Sequence, residues 1–71
     1  MDIGKKLKEL RIQKDLTQED LADRTELSKG FISQLENNNT SPSISTLTDI
    51  LQSLGTDLAD FFSEPPEEQV V

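Results

Sequence analysis

The side chains this chain offers for chemistry are amides, hydroxyls, ammonium groups, guanidinium groups and carboxylates. Histidine and cysteine are both absent from its 71 residues. That removes the usual general base, the thiolate nucleophile and the commonest metal ligands, which excludes a nucleophile–base pair and weighs against an enzyme, a zinc centre or any bound cofactor. What remains is recognition by hydrogen bonding and charge. The stretch richest in such groups is Thr17 to Glu36, TQEDLADRTELSKGFISQLE. Its residue types place two short helices around a tight bend. Thr17 and Ser28 stand where helix N-caps belong, and Asp20 can complete a reciprocal cap with Thr17. The small Ala22 falls where two helices would touch.

Charge argues in two directions. Fourteen acids against seven basic residues leave a formal net charge of −7, whereas affinity for a phosphate backbone comes largely from Lys and Arg. The basic residues are nevertheless confined. All seven lie between Lys5 and Arg24 or at Lys29, and from Gly30 onward every charged residue is an acid. A half that tolerates phosphate thus coexists with an acidic far end. No apolar run approaches the roughly 18 residues of a membrane span, and the N-terminus has no signal-peptide core. The cytoplasm is the expected location, with no membrane partner.

The surrounding elements must hold that stretch in place. Residues 2–14 read as a first helix with Ile3, Leu7 and Leu10 on one stripe, Asp2 as its N-cap and Lys5, Lys6 and Lys8 facing outward. Asp15 should end it. In the second helix Leu21 and Ala22 face inward. Thr25, Glu26 and Leu27 make the bend, with Leu27 buried. The third helix turns Ile32 and Leu35 inward and leaves Lys29, Gly30, Ser33 and Gln34 outward. Asn37 to Pro42 is a loop, and Pro42 is expected at the first position of a fourth helix capped by Ser41 or Ser43. Ile44, Leu47, Ile50, Leu51 and Leu54 supply its apolar face and Gly55 ends it. Thr56 should cap a fifth helix, DLADFF, whose Leu58, Phe61 and Phe62 pack back on the first or fourth. The expectation is an all-α fold of five helices around one small core. Residues 1–62 form the domain, and residues 63–71 form an acidic, proline-containing linker or tail. Gln69, Val70 and Val71 would suit the start of a strand.

In combination these signals resemble a known family. The sequence LTQEDLA, a bend, S-x-x-x-I-S-x-x-E, and then a proline-led helix ending in LG are similar to the helix-turn-helix domain of the Cro/C1 or XRE class, which includes the lambdoid phage repressors. The resemblance covers roughly residues 3–62. TELSKGFISQLE followed by TSPSI further resembles the subgroup in which this domain precedes a C-terminal cupin barrel, and EPPEEQVV is similar to the linker of that subgroup. The resemblance implies a lambda-repressor-like fold with the helix-turn-helix at helices 2–3 and a recognition helix over residues 28–36 that lies in the major groove.

Site residues follow from the same resemblance. Gln18 stands where phage repressors use a Gln to touch a phosphate and to brace a Gln of the recognition helix. Lys29 and Gly30 open the helix that reads base edges; Lys29 would meet guanine or a phosphate, and Gly30 would let the backbone approach the groove. One turn on, Gln34 could pair with adenine, and Ser33 is permissive. Asn37, Asn38, Asn39, Thr40 and Ser43 could donate to phosphate oxygens. Phe31 is expected to pack on the core. Arg11 and Glu36 match an ion pair that joins the first helix to the end of the third in relatives. Two positions depart from the pattern: Asp15 and Glu26 stand where relatives often have Gly.

The implied function is sequence-specific binding of double-stranded DNA as a transcriptional regulator, a repressor on this reading, acting as a dimer on a pseudo-palindromic operator. The chain is then a DNA-binding fragment of a larger dimeric regulator, monomeric when isolated. A self-sufficient small regulator, dimerising through its fifth helix and tail, is a close variant. The competing reading keeps the fold and gives its acidic surface to a protein partner, as in antitoxin- or coactivator-like modules.

Overall fold

The computed structural model describes residues 2–63, and the strand start expected at Gln69 to Val71 lies outside them. Among the described residues there are five helices and no strand: α1 (Ile3–Gln13), α2 (Gln18–Thr25), α3 (Lys29–Glu36), α4 (Ile44–Ser53) and α5 (Leu58–Phe62). None is longer than 11 residues, too short to be stable alone in water. Their persistence depends on caps and on a shared core.

The N-termini are capped as hydroxyl and carboxylate chemistry dictates. Asp2 accepts from the Lys5 N–H, and Ser28 accepts from the Phe31 N–H. Thr17 and Asp20 form the full reciprocal box, each side chain accepting from the other's backbone N–H at 3.0 Å. Two expectations need correction. Pro42 does not open α4. Ser43 binds the Thr46 N–H at 3.1 Å, so Ile44 is the first helical residue and Pro42 precedes the cap. Nor does Thr56 cap α5. Its N–H is spent closing α4 on the Leu51 carbonyl, and Asp57 caps α5 by accepting from the Asp60 N–H at 2.9 Å.

The C-termini share one device. After each of α1 to α4 comes a residue in the left-handed region: Asp15 (φ 58°), Glu26 (φ 59°), Asn38 (φ 59°) and Gly55 (φ 77°). The next residue turns its N–H back to the final turn: Leu16 to Arg11, Leu27 to Ala22, Asn39 to Gln34 and Thr56 to Leu51. This reversal satisfies otherwise orphaned carbonyls and returns Leu16 and Leu27 toward the core. Leu27 is half-buried there rather than buried. Gly55 alone adopts its angle without a Cβ penalty.

The core is built from Leu7 of α1, Leu21 and Ala22 of α2, Ile32 and Leu35 of α3, Leu47, Ile50 and Leu51 of α4, Leu54, and Phe61 of α5. Ile3, Leu10, Phe31 and Leu58 pack around it, half-buried. At roughly 1.5–3 kcal/mol per buried large aliphatic or aromatic side chain, this cluster is the main source of stability. Ile44 and Phe62 do not join it. They are 67% and 44% exposed. Lys6 turns inward instead of outward: its ammonium donates to the Phe61 carbonyl and lies 5.2 Å from the centre of the Phe61 ring, tying α1 to α5.

Helix α1 meets α3 at its first turn, where no space remains. A Cβ on Gly4 would lie 2.4 Å from the Leu35 carbonyl oxygen and 2.8 Å from that of Glu36. The Gly4 N–H donates to Asn38 Oδ1 at 3.1 Å, and Asn38 Nδ2 donates to Asp2 Oδ1 at 2.7 Å. One asparagine thus latches the start of α1 to the end of α3.

Two predictions follow from these ends. Asp15→Gly and Glu26→Gly should each stabilise the fold by about 0.5–1 kcal/mol, the left-handed strain of about 1–2 kcal/mol less the extra chain entropy of glycine. Asn38→Gly should destabilise it, because the latch is lost with the strain. Urea midpoints of the three variants check this, and a gain for all three would refute the role given to Asn38.

The second concerns acid. The Asn38 amide and the Lys5 N–H hold the Asp2 carboxyl below its ordinary value of 3.8, and the Thr17 N–H and hydroxyl do the same for Asp20. Both carboxyls bind protons more weakly folded than unfolded, so their stabilisation is present above about pH 4 and is lost as pH falls through the lowered values. Stability measured from pH 5 to pH 2 should decline, and the decline should be shallower in Asp2→Asn and Asp20→Asn. An unchanged slope in both would exclude these caps as its source.

Candidate nucleic-acid interface

The geometry of the candidate face is set by one carboxylate. Glu36, the last residue of α3, accepts from Arg11 Nε at 2.6 Å and from Arg11 Nη2 at 3.1 Å. Gln18, the first residue of α2, donates its Nε2 to the same carboxylate at 3.1 Å. The remaining arm of Arg11 donates to the Leu16 carbonyl at 2.7 Å, bracing the bend between α1 and α2. The ion-pair side chains are only 10% and 2% exposed. Among the described residues no buried side-chain nitrogen or oxygen lacks a partner. A desolvated pair is tolerable only when its hydrogen-bonding capacity is filled in this way. The expected link between Arg11 and Glu36 is therefore present.

With Ile32, Leu35 and Glu36 buried and Phe31 half-buried, the inward side of α3 is fully assigned. Lys29, Gly30 and Gln34 are exposed, as expected, whereas Ser33 is half-buried. Lys29 and Ser33 share one row at i, i+4, and Gly30 and Gln34 share the neighbouring row. Lys29 and Gln18 also line one open depression of about 530 Å³, together with Thr17, Arg11 and the bend at Asp15. The starts of α2 and α3 therefore converge, and each N-terminus offers backbone N–H groups with no intrahelical partner. Asp15 and Glu19 belong to the same lining, so its charge is mixed.

The structure changes the part played by three residues of the expected set. Gln18 braces Glu36, to which it gives one of its two amide hydrogens, leaving the second hydrogen and the amide oxygen available. Asn38 is the latch to Asp2 and Gly4, with both ends of its amide engaged. One of its two amide hydrogens is thereby spent on the latch. The Ser43 hydroxyl accepts from the Thr46 N–H and donates to the Thr46 hydroxyl. Asn37 and Asn39 remain exposed and Thr40 is half-buried. Gly4 was missed from the sequence. The steric need for it arises from a helix 31 residues away (Leu35 against Gly4).

A capped, bent helix pair whose second member presents one side outward and buries the other has its match among known proteins. The helix-turn-helix family model HTH_3 matches residues 7–61. The chain belongs to this family. HTH_3 proteins are DNA-binding transcriptional regulators, not enzymes. Over 70 residues the chain is 43% identical to the HTH-type transcriptional regulator PuuR of Escherichia coli K12, a match that takes in 96% of this chain and 38% of PuuR. It thus spans well under half the length of that relative. Over 66 residues it is 38% identical to the control protein C.MunI of Mycoplasma, covering 92% of this chain and 89% of that protein. The crystal structure of the restriction-modification controller protein C.Esp1396I superposes with a TM-score of 0.79 at 33% identity, over 86% of this chain and 79% of the other. The all-α, five-helix HTH_3 fold is therefore shared with solved relatives. Among the described residues no helix is long and apolar enough to cross a membrane.

The weight carried by Glu36 can be measured. Arg11→Met or Glu36→Leu alone should cost on the order of 3 kcal/mol, because each leaves a buried charge unpaired, and the double variant should cost less than the sum. Additive losses in a double-mutant cycle would rule out the coupling.

Proposed function

We propose that this chain is a sequence-specific double-stranded DNA-binding domain of a transcriptional regulator, a repressor, with residues 28–36 lying in the major groove. The observation that supports it is the two-sided character of α3. Its inward side is pinned by Ile32, Leu35 and Glu36, and its outward rows carry Lys29, Gly30, Ser33 and Gln34. In this reading Gln34 pairs with a base edge and Lys29 meets a guanine or a phosphate. Gln18, Asn37, Asn39 and Thr40 donate to the phosphate backbone, as does the backbone of Ser43. Residues 1–62 are the reading domain, and residues 63–71 are a linker or tail that leads into a larger dimeric regulator acting in the cytoplasm. The dimer places one α3 in each half of a pseudo-palindromic operator. No cofactor enters the reading.

A second reading has two observations in its favour. The net charge of −7 and the uncharged loop from Asn37 to Ser43 fit an acidic face that binds a protein. That reading gives Lys29 and Gln34 no task.

Selection from random duplexes with the chain linked as a dimer, followed by binding across a salt series, decides between them. DNA reading requires a recurrent selected sequence and binding that weakens with salt. Gln34→Ala should cost about 1–3 kcal/mol on that duplex and relax preference at one base pair per half-site. Absence of any selected sequence at low salt would defeat the proposal.

A further inference from the structure

The fold accounts for two of the chain's three glycines. Gly4 is required because a Cβ there would collide with the Leu35 carbonyl at 2.4 Å. Gly55 takes a left-handed angle of +77° at the end of α4. Gly30 has neither reason. It is exposed in the first turn of α3, its backbone is not left-handed, and a Cβ built on it meets nothing within 4 Å. That empty space also shows that Gly30 does not make room for the side chains of Ser33 or Gln34. A glycine in a helix forfeits stability relative to alanine and enlarges the unfolded ensemble. At this position the folded chain receives nothing in return.

We infer that the return comes from outside the chain: a base-pair edge in the major groove packs directly against the bare Cα of Gly30, making this residue a specificity-determining position of α3. The inference rests on the DNA-binding reading proposed above. Gly30 lies one helical turn before Gln34 on the same outward row, so a surface that reaches the Gln34 amide passes over Gly30. The N-terminal turn of a recognition helix is also the part that approaches base edges. A missing side chain brings the helix axis closer to the groove floor and admits a bulky edge, such as one bearing a thymine methyl, that a Cβ would displace. Gly30 thus specifies sequence by exclusion and close approach, whereas Gln34 does so by donating and accepting hydrogen bonds.

The test compares Gly30→Ala and Gly30→Leu with the native chain in three measurements: thermal unfolding, affinity for the selected duplex, and affinity for duplexes varied one base pair at a time. Both variants should fold, and Gly30→Ala should not lower Tm, since alanine has the higher helix propensity. Both should bind the selected duplex about tenfold more weakly or worse, Leu more so than Ala, and should change the preferred base pair at one position per half-site. Native affinity and native preference in Gly30→Leu would overturn the inference while leaving DNA recognition standing. An equal loss on every duplex, selected or scrambled, would also overturn it, since the contact would then be to the sugar-phosphate backbone. If the native chain itself selects no sequence, the functional reading falls first and takes this inference with it. A protein ligand whose binding alone is weakened by Gly30→Leu would have the same consequence.

Discussion

The buried carboxylate of Glu36 is the constraint on which the arrangement of the first three helices depends. It ends α3, receives two hydrogen bonds from Arg11 of α1 and receives one from Gln18 of α2. Taking this charge out of water is costly, and it is tolerated because the guanidinium supplies a planar, two-pronged partner and the amide fills a remaining lone pair. The geometry propagates. Arg11 also donates to the Leu16 carbonyl, while the Leu16 N–H returns to the Arg11 carbonyl, so the bend between α1 and α2 is fastened in both directions. A hydrophobic contact among the same helices would hold them together with much looser angular definition. The ion pair fixes the rotation of α3 about its own axis, and that rotation decides which side chains face outward.

The other end of α1 is fixed by an amide latch rather than an ion pair. Asn38 follows α3 in a left-handed conformation, and its side chain reaches the first turn of α1, where Gly4 permits a close approach to the end of α3. Asparagine suits this place because it tolerates positive φ and carries both a donor and an acceptor. Glycine would meet the first need only. Asp15 and Glu26 meet neither need as well, so α1 and α2 end in strained turns. Helices of 8 to 11 residues held by such turns have little intrinsic stability. Their definition is a property of the assembled core.

What was legible in the sequence was what is decided within a few residues. Thr17, Asp20 and Ser28 cap their helices because a hydroxyl or carboxylate three residues from an orphan N–H suffices, and the stripes of Leu21, Ile32, Leu35, Leu47 and Leu51 needed only periodicity. Failures came where two local solutions competed or where the partner was remote. Thr56 and Asp57 are both competent caps. Gly55 settles the choice by bending Thr56 back to α4. Lys6 looks like a solvated surface residue until Phe61 is placed beside it, and Asn38 like a loop residue until Asp2 and Gly4 are. Arg11 and Glu36 were paired through resemblance alone, because nothing in their separation of 25 residues predicts contact. The outward rows of α3 followed directly once its inward side was known, with Ser33 the exception at the boundary.

The sparse positive charge then bears on how such a face would work. A groove-binding surface rich in Lys and Arg holds DNA of any sequence and loses affinity steeply with salt. Lys29 is the only basic residue from Lys29 to the end of the chain, and the loop after α3 is uncharged. On the proposed reading, non-specific attraction by one copy is weak and most discrimination falls on neutral hydrogen bonding and fit. Fit is demanding in angle and distance, which gives the rigid Arg11–Glu36–Gln18 junction a functional consequence: a carrier that wobbled would blur contacts that charge does not rescue. Linking two copies raises affinity through effective concentration without adding positive charge. An acidic chain can therefore read DNA selectively, provided that its recognition helix is held stiffly and presented in pairs.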